Sequence, residues 1–347
     1  MSVTGDPAAP LRLIQVGAGG MGRAWLRTIT ANADVELVGL VDLDVEVAQA
    51  ALAETGAGPA PVSTSITELV AATPADAVVN VTVPAAHSPV NREALALGLP
   101  VLCEKPMAES VAECLPIIAA ADRAEQLLMI SQSRRYYSQL AALRAVLDEL
   151  GPVETARCEF AKAPHFGGFR EQMAEPLIVD MAIHQFDLAR DLMGADPVSV
   201  YCESSNPSWS WFAGNAVATA VFTFDGGATF SYTGTWCGPF PETSWNGVWN
   251  LGAASGGVRW DGDHPPTAYG PDGASLPVPE REVPEEIAGS LAEFVTCVRT
   301  GTEPATAARR NVVSIAMVEA AVRSSAEGRV VTIAEVMQRA REAVGAH

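Results

Sequence analysis

The sequence has no cluster of basic residues, and only two of its 22 Lys and Arg residues are lysines. Its 41 acidic residues give a formal charge of −19, which argues against a nucleic-acid partner because phosphate backbones attract basic surfaces. The same charge disfavours an anionic membrane, and there is no apolar run of about 18 residues to span one. The start, MSVTGDPAAP, lacks a basic and an apolar segment, so we expect a soluble, cytoplasmic protein.

Paired cysteine motifs are missing too. The six cysteines are scattered without a CxxC pair, which predicts reduced, buried thiols, no disulfide framework and no metal site. Charged residues make up 18% and hydrophobic residues 48%, a composition that can bury a large core. A length of 347 residues fits two domains, which we place at 1–132 and 133–347.

The first half of the sequence alternates short apolar runs with helical stretches. The apolar runs lie at 11–17, 35–42, 77–83, 100–106 and 127–132. Strands separated by helices of this length imply right-handed crossovers, so we predict a Rossmann-type, doubly wound parallel sheet.

The pattern changes after about residue 133. Strand-like runs there follow one another with glycine turns between them, which predicts a large, mainly antiparallel sheet flanked by helices. Helices at 177–193, 285–299 and 305–326 are expected in this domain, the last two beneath its sheet. For the C-terminal helix, packing back on the first domain is the alternative that we leave open.

A glycine-rich loop stands where the first strand should turn into a helix. Gly17-Ala18-Gly19-Gly20-Met21-Gly22 matches G-x-G-x-x-G. In this context Gly17 makes the tight turn, Gly19 lets a pyrophosphate approach, and Gly22 allows close packing of helix on strand. The helix N-terminus favours the diphosphate charge, so we predict that a dinucleotide binds the loop formed by Gly17, Gly19, Gly20, Met21 and Gly22.

Asp42 ends the second strand, 20 residues after Gly22. A carboxylate there can accept both ribose hydroxyls and repels a 2′-phosphate. Asp44 adds to that repulsion, and no arginine stands nearby in the sequence. These residues predict NAD in preference to NADP.

Two further patterns point to chemistry. Lys105, in Glu104-Lys105-Pro106, follows an apolar strand, and open α/β sheets bind ligands outside the carboxyl ends of their strands. Asp180 and His184 lie four residues apart on a predicted helix face, where they can converge on one ligand. Oxidation of an alcohol needs a base for the hydroxyl proton, and histidine has a suitable pKa.

In these motifs the chain resembles the Gfo/Idh/MocA oxidoreductases, named for glucose–fructose oxidoreductase, inositol dehydrogenase and a rhizopine-catabolism protein. The resemblance rests on the glycine loop, Asp42, the run Val83-Pro84-Ala85-Ala86-His87, the EKP triplet and the pattern DxxxHxxD at 180–187. These motifs follow one another in the family's order and span most of the chain.

The resemblance implies roles for individual residues. Lys105 and His184 would flank the reacting carbon, with His184 as acid/base, Lys105 bonded to the reacting oxygen, and Asp180 positioning the substrate. It further implies a cofactor-lining set formed by Thr82, Pro84, His87 and Glu104. For His87 the alternative is a structural histidine at a helix N-terminus. The family also implies an open-faced second sheet that forms homodimers or homotetramers.

Other residues are candidates for substrate contact. Trp245 and Asn246 lie beside a turn glycine, and Arg170 lies in the loop before the predicted helix. Aromatic rings suit the C–H faces of sugars. For at least three of the five tryptophans between 209 and 249 we favour sheet packing or an oligomer interface. Arg134, Arg135 and Tyr136, just after the last parallel strand, are expected to frame the cleft, and His165 to reach into it.

One departure from the family concerns the entry to the helix, where Ala174-Glu175-Pro176 replaces a glycine pair that many members carry. It argues against transferring a substrate from the best-known members. We therefore expect an NAD-dependent dehydrogenase acting on CH–OH groups of a sugar, sugar derivative or cyclitol. An NAD-retaining lyase or glycoside hydrolase that oxidises transiently, and a non-catalytic NAD-binding regulator, stay open.

Overall fold

The computed structural model describes residues 9–345. Contacts between residues divide this part of the chain into two units. The first unit runs up to Ser133 and also contains Glu285–Val312 and the residues from Ala343 onward. The second contains Arg134–Pro284 and Val313–Glu342. The first division lies after Ser133, and Glu285–Val312 belongs to the first unit although it follows the second unit's sheet in the chain.

Six parallel strands form the sheet of the first unit. They are β1 (Leu11–Val16), β2 (Val35–Val41), β3 (Val62–Ser63), β4 (Ala77–Asn80), β5 (Val101–Glu104) and β6 (Leu128–Ser131). Their order is β3-β2-β1-β4-β5-β6, so the connection reverses direction between β1 and β4. Every residue of β4 and β6 is buried, as expected for strands covered on both faces. The predicted Rossmann-type sheet is confirmed.

Eleven α-helices are present among the described residues. In chain order they are α1 (Gly20–Thr30), α2 (Val45–Thr55), α3 (Ile66–Ala72), α4 (Pro84–Ala96), α5 (Val111–Ala124), α6 (Ser138–Leu150), α7 (Phe169–Gln172), α8 (Ile183–Met193), α9 (Glu286–Thr300), α10 (Ala308–Glu327) and α11 (Ile333–Gly345). Pro84 is the first residue of α4, a position where the missing N–H of proline costs no helical hydrogen bond. The two-residue strand β3 was too short to show a periodic pattern.

The expectation for the helix near 285–299 was wrong. Helix α9 does not lie beneath the second sheet but packs against α1 and β6 in the first unit. The chain that follows it covers the free edge of β6, where the N–H of Ile130 donates to the carbonyl of Thr306 at 3.0 Å. An edge strand presents unpaired backbone groups, and this late segment satisfies some of them.

Nine strands form the sheet of the second unit. They are β7 (Val153–Ala161), β8 (Pro197–Ser205), β9 (Val217–Phe224), β10 (Thr229–Thr235), β11 (Val248–Ala253), β12 (Gly256–Trp260), β13 (Thr267–Tyr269), β14 (Ser275–Leu276) and β15 (Val331–Thr332). Their order is β14-β13-β12-β11-β7-β10-β9-β8-β15. Only β7 and β10 pair in parallel, so the mainly antiparallel sheet is confirmed. Helix α10 packs here, since Ser324 accepts from the N–H of Cys202.

The predicted helix at 177–193 consists of two different helices. Leu177–Ala182 forms a π-helix, and α8 continues from Ile183. A π-helix bonds each N–H five residues back and is frequent at functional sites. Asp180, the first aspartate of the DxxxHxxD pattern, therefore lies in the π-helix, and His184 lies in the first turn of α8.

All six cysteines are buried and none forms a disulfide. Within residues 9–345 no helix is both long and apolar enough to cross a membrane. The same residues include no group of three or more His, Cys, Asp or Glu side chains arranged to hold a metal ion.

Candidate functional site

The glycine loop joins β1 to α1 in the first unit. Gly17 has a φ of +102°, and a side chain there would place its Cβ 2.6 Å from the carbonyl oxygen of Val81. A Cβ on Gly22 would collide with the carbonyl of Gly17, whereas Gly19 and Gly20 have nothing within 4 Å. The loop is thus closed on its inner side and open on its outer side, as a bound pyrophosphate requires.

A buried glutamine that sequence reasoning missed holds this loop in place. The amide nitrogen of Gln15 donates to the carbonyl of Gly17 at 2.8 Å and to that of Gly22 at 2.9 Å. One side chain therefore ties together the two glycines that bracket the motif. Its position inside β1 gave no signal, because a polar residue in an apolar strand has many possible partners.

Asp42 stands at the end of β2 and faces the same loop. One carboxylate oxygen accepts from the N–H of Ala18 at 2.8 Å, and the other accepts from the N–H of Asp44 at 3.0 Å. An arginine does come near, contrary to the sequence expectation. Arg23 folds back from α1, so that its guanidinium donates to the carbonyl of Ala18 at 2.5 Å and to Glu54 at 2.6 Å.

Three apolar side chains are exposed near the ends of the strands: Met21 in the first turn of α1, Leu43 after β2 and Val83 after β4. Met21, Leu43 and Val83 are 50%, 93% and 67% exposed. The segments that carry them follow β1, β2 and β4, next to the point where the strand order reverses. Ligands of doubly wound sheets bind at that point, and exposed apolar groups suit the flat rings of a dinucleotide.

The run after β4 is organised by Asn80, a second residue that sequence reasoning missed. Its side-chain oxygen Oδ1 accepts from the hydroxyl of Thr82 at 2.7 Å, and its side-chain nitrogen Nδ2 donates to the backbone carbonyl of His87 at 3.3 Å. Pro84 is exposed at the start of α4. His87 is only 1% exposed, and both of its ring nitrogens contact protein carbonyls, which favours a structural role for this ring.

Glu104 is the last residue of β5, and Lys105 directly follows the strand. The indole N–H of Trp25 donates to Glu104 at 2.8 Å, and the N–H of Lys105 donates to the other oxygen of that carboxylate at 3.1 Å. Burial raises the pKa of Glu104, although these two donors and the charge of Lys105 oppose the shift. Lys105 is half-buried at the carboxyl end of its strand, where the sequence predicts it.

Asp180 and Arg170, both predicted as site residues, meet in the second unit. The guanidinium Nε of Arg170 donates to the Asp180 carboxylate at 2.6 Å. The same guanidinium lies 5.3 Å from the ring of Phe166 and 4.8 Å from that of Phe169. The sequence did not predict this pairing, because Asp180 was matched with His184. His184 is 9% exposed.

The second aspartate of the DxxxHxxD pattern has a structural role. Asp187 is 2% exposed and forms a bidentate ion pair with Arg135 at 2.6 and 2.9 Å. Arg135 also bonds Asp191 at 3.0 Å, and Arg144 bonds Asp191 at 2.8 Å. The expectation that Arg135 frames a cleft was therefore wrong, because its guanidinium is consumed by this buried network.

Trp245 and Asn246 differ in their exposure. Trp245 is 37% exposed, and the ammonium of Lys162 lies 5.3 Å from the centre of its ring. Asn246 is 7% exposed, and its amide is bonded at both ends: the oxygen accepts from Arg134 at 2.9 Å and the nitrogen donates to Gly262 at 2.8 Å. Of the two, Trp245 has the accessible surface.

The remaining aromatic residues divide into packed and exposed groups. Trp236 and Trp249 are buried in the sheet, while Trp209 is 60% exposed. His165 stacks on Trp211 with ring centres 3.8 Å apart. The rings of Phe166 and Trp245 are 6.3 Å apart, so one exposed aromatic surface extends from Trp245 to the Arg170–Asp180 pair.

The entry loop that departs from the family pattern is held by side chains. A carboxylate oxygen of Glu175 accepts from Asn215 at 2.6 Å and from Ser204 at 2.9 Å. A Cβ on Gly214 would collide with the carbonyl of Ala174, so this glycine permits the close approach. Hydrogen bonds that Glu175 accepts thus hold the loop to neighbouring segments of the second unit.

Two family profiles match the chain. The profile described as an oxidoreductase family with an NAD-binding Rossmann fold matches residues 11–132, and the GFO/IDH/MocA C-terminal domain matches residues 140–249. An oxidoreductase from Agrobacterium radiobacter, crystallised with NAD+, L-tartaric acid and magnesium, superposes with a TM-score of 0.84. It is 20% identical and covers 93% of this chain and 98% of its own, which shows a common fold.

The chain is also similar in sequence to dehydrogenases of two substrates. D-apiose dehydrogenase of Paraburkholderia graminis is 29% identical over 257 residues, which are 68% of this chain and 67% of that protein. Inositol 2-dehydrogenase of Rhizobium meliloti is 27% identical over 338 residues, or 92% and 98% of the two chains. Together with the two matched profiles, these similarities show that the chain belongs to the Gfo/Idh/MocA family of oxidoreductases, whose first domain is an NAD-binding Rossmann fold.

Proposed function

We propose that the protein is an NAD-dependent oxidoreductase that transfers a hydride between nicotinamide and a hydroxyl- or keto-bearing carbon of a sugar, sugar derivative or cyclitol. The observation that carries this proposal is the Arg170–Asp180 pair beside exposed aromatic rings, at the entry to the helix of His184. Charged and polar groups next to flat apolar rings suit a ligand that has hydroxyls on its edge and C–H groups on its faces. The names of the inositol and apiose dehydrogenases point to the same substrate class.

The proposed chemistry divides between the two units. NAD, when bound, supplies or accepts the hydride. Lys105 would donate a hydrogen bond to the reacting oxygen, and His184 would take the hydroxyl proton during oxidation and return it during reduction. Asp180 would position the substrate with Arg170, while Trp245 and Asn246 complete the proposed substrate-binding set. The convergence of Lys105 and His184 on one carbon is part of this proposal.

The cofactor proposal rests on the first unit. Residues Gly17, Gly19, Gly20, Met21 and Gly22 would hold the pyrophosphate, with Asp42 at the ribose. Thr82, Pro84 and Glu104 would lie toward the nicotinamide, with the buried ring of His87 behind Thr82 and out of contact with the cofactor. We propose NAD over NADP because Asp42 repels a 2′-phosphate. Arg23 lies near the glycine loop and could attract a 2′-phosphate, but it already forms an ion pair with Glu54.

We also propose that the protein assembles as a homodimer or homotetramer through the second sheet. Residues on β8 and β9 alternate between buried and exposed, and the exposed positions include Val198, Tyr201 and Val221 at 42%, 40% and 46%. These side chains share the exposed positions with Glu203, Thr219 and Thr223, and we take this mixed face as the candidate subunit interface. Sedimentation velocity measures the state directly.

A substrate panel with NAD and NADP tests the proposal. We expect inositols or aldoses, D-apiose included, to raise the absorbance at 340 nm, with NADH bound more tightly than NADPH. Lys105→Met should lower kcat by about 10³-fold, because it removes a donor at the reacting oxygen, and should leave NADH affinity within about threefold. The control variant is Arg341→Met, which removes one positive charge at an exposed position on α11 and should leave kcat unchanged.

Two results would count against the proposal. Full activity of the Lys105→Met protein would remove Lys105 from the mechanism. Turnover of a substrate without any change at 340 nm would instead indicate an enzyme that retains and recycles its NAD. Tight NADH binding with no turnover across the panel would favour the non-catalytic regulator.

A further inference from the structure

The ring of His87 lies between two backbone carbonyls of the first unit. Its Nδ1 is 2.6 Å from the carbonyl oxygen of Pro106, and its Nε2 is 3.0 Å from that of Thr82. Pro106 directly follows Lys105, and Thr82 belongs to the loop after β4. One buried side chain therefore touches both the proposed catalytic loop and a proposed cofactor-lining loop.

Both partners of this ring accept hydrogen bonds and neither can donate. A neutral imidazole carries one proton, so it can donate to one carbonyl while its other nitrogen faces the second with a lone pair. Only the imidazolium can donate to both. We assign the single proton to Nδ1, because the contact with Pro106 is the shorter by 0.4 Å.

The surroundings of His87 favour the neutral ring. Burial lowers its pKa below the usual 6.5, the two carbonyl contacts oppose this shift, and the positive charge of Lys105 adds to it. Burial also raises the pKa of Cys103 and of Glu104 on the adjoining strand. The other titratable residues near it on α4 are Arg92 and Glu93, both exposed, and Glu93 accepts from Thr67.

We propose that His87 is a positioning residue for Lys105, holding the peptide of Pro106 in place through Nδ1–H. The backbone of His87 is fixed in turn, because Asn80 donates to its carbonyl and bonds Asn91 at 2.8 Å. The functional meaning of this inference rests on the proposed role of Lys105. The two ring contacts of His87, called the clamp below, do not depend on that role, because they lie within one unit.

Two substitutions separate the two contacts of the ring. In His87→Asn the amide nitrogen takes the place of Nδ1, which retains a donor toward Pro106. In His87→Gln it takes the place of Nε2, which retains a donor toward Thr82 instead. The proposal predicts that the asparagine variant keeps Lys105 in place and the glutamine variant does not.

The small number of lysines gives a direct readout that needs no substrate. Reductive methylation with ¹³C-formaldehyde labels Lys105, Lys162 and the N-terminal amine, because the chain has only two lysines. We expect the Lys105 methyl signal to shift in His87→Gln and to stay near its parental position in His87→Asn. Lys162, bonded to Glu242 at 2.8 Å, gives the reference signal in the same spectrum.

The unsubstituted protein provides a second measurement that does not depend on the folding of a variant. Below about pH 6.5, as His87 gains its second proton, the Lys105 signal should move with the titration, and this movement should be lost in His87→Asn. For any substrate found in the panel, His87→Gln should lower kcat by roughly 10–100-fold and leave NADH affinity within about threefold.

A Lys105 signal that is identical in the parent and His87→Gln proteins, and that does not move in the parent down to the lowest pH at which the protein stays folded, would overturn the inference. An inactive protein whose Lys105 signal nevertheless follows His87 would contradict the proposed function and leave the clamp standing. The two failures are therefore distinguishable.

Discussion

The two units hold their candidate functional groups by different means. In the first, backbone atoms dominate: glycines shape the loop, peptide N–H groups bond Asp42 and Glu104, and carbonyls hold His87. In the second, charged side chains hold one another, as Arg170 holds Asp180 and Arg135 holds Asp187. The first arrangement should be sensitive to changes in backbone conformation, and the second to loss of charge.

Breaking a buried ion pair in the second unit should have the largest effect. We expect Arg135→Met to lower the free energy of unfolding of that unit by about 3–5 kcal/mol, because it leaves Asp187 buried without its cation and Asp191 with Arg144 as its remaining ion-pair partner. The matched change is Arg12→Met, which removes an ion pair with Asp76 in which the side chains are 42% and 23% exposed. It should cost about 0–1 kcal/mol in urea unfolding.

The same network predicts a pH dependence. Burial alone would raise the pKa of Asp191, but Arg135 and Arg144 lower it below its usual 3.8. The unfolded chain then binds a proton more readily than the folded one, so this stability is present above about pH 4 and lost below it. Equal costs for the two arginine variants, or a parental stability that does not fall between pH 5 and 3, would contradict the comparison.

A backbone change in the glycine loop should have an intermediate effect. Gly17→Ala should lower NADH affinity by about 10–100-fold, since a side chain at positive φ costs roughly 1–2 kcal/mol and its Cβ would meet the Val81 carbonyl. Gly56→Ala is the control, because that glycine also has positive φ but ends α2, outside the loop, with nothing within 4 Å. Fluorescence titration with NADH measures both, and similar affinities for the two variants would show that the loop is not held by its backbone.

The smallest effect is expected on the aromatic surface. Trp245→Ala should raise KM by about threefold to tenfold for the substrate found in the panel, since ring contacts contribute about 0.5–1.5 kcal/mol. NADH affinity should not change. Tyr269→Ala removes another exposed aromatic ring, on β13, and serves as the control. A loss of NADH affinity in the tryptophan variant would place its effect outside substrate binding.

The difference between the units also explains what could be predicted from the sequence. The glycine loop and Lys105 depend on local spacing at the ends of strands, and the sequence predicts both. The partners of Arg135 and Arg170 depend on tertiary packing: Arg135 and Asp187 are 52 residues apart. The same limit applies to His87, whose contact with Pro106 spans 19 residues, and to α9, whose amphipathic pattern does not say which sheet it covers.

The segment that covers the edge of β6 has a consequence for biosynthesis. Met129 pairs with Ala307, a residue that is synthesised nearly 180 positions later, so a ribosome must translate most of the chain before this edge is closed. During that time the nascent nucleotide-binding sheet exposes a strand edge on which other chains can assemble. A gene truncated after residue 133 would express a sheet that lacks this cover, which makes it a poor choice of minimal cofactor-binding fragment.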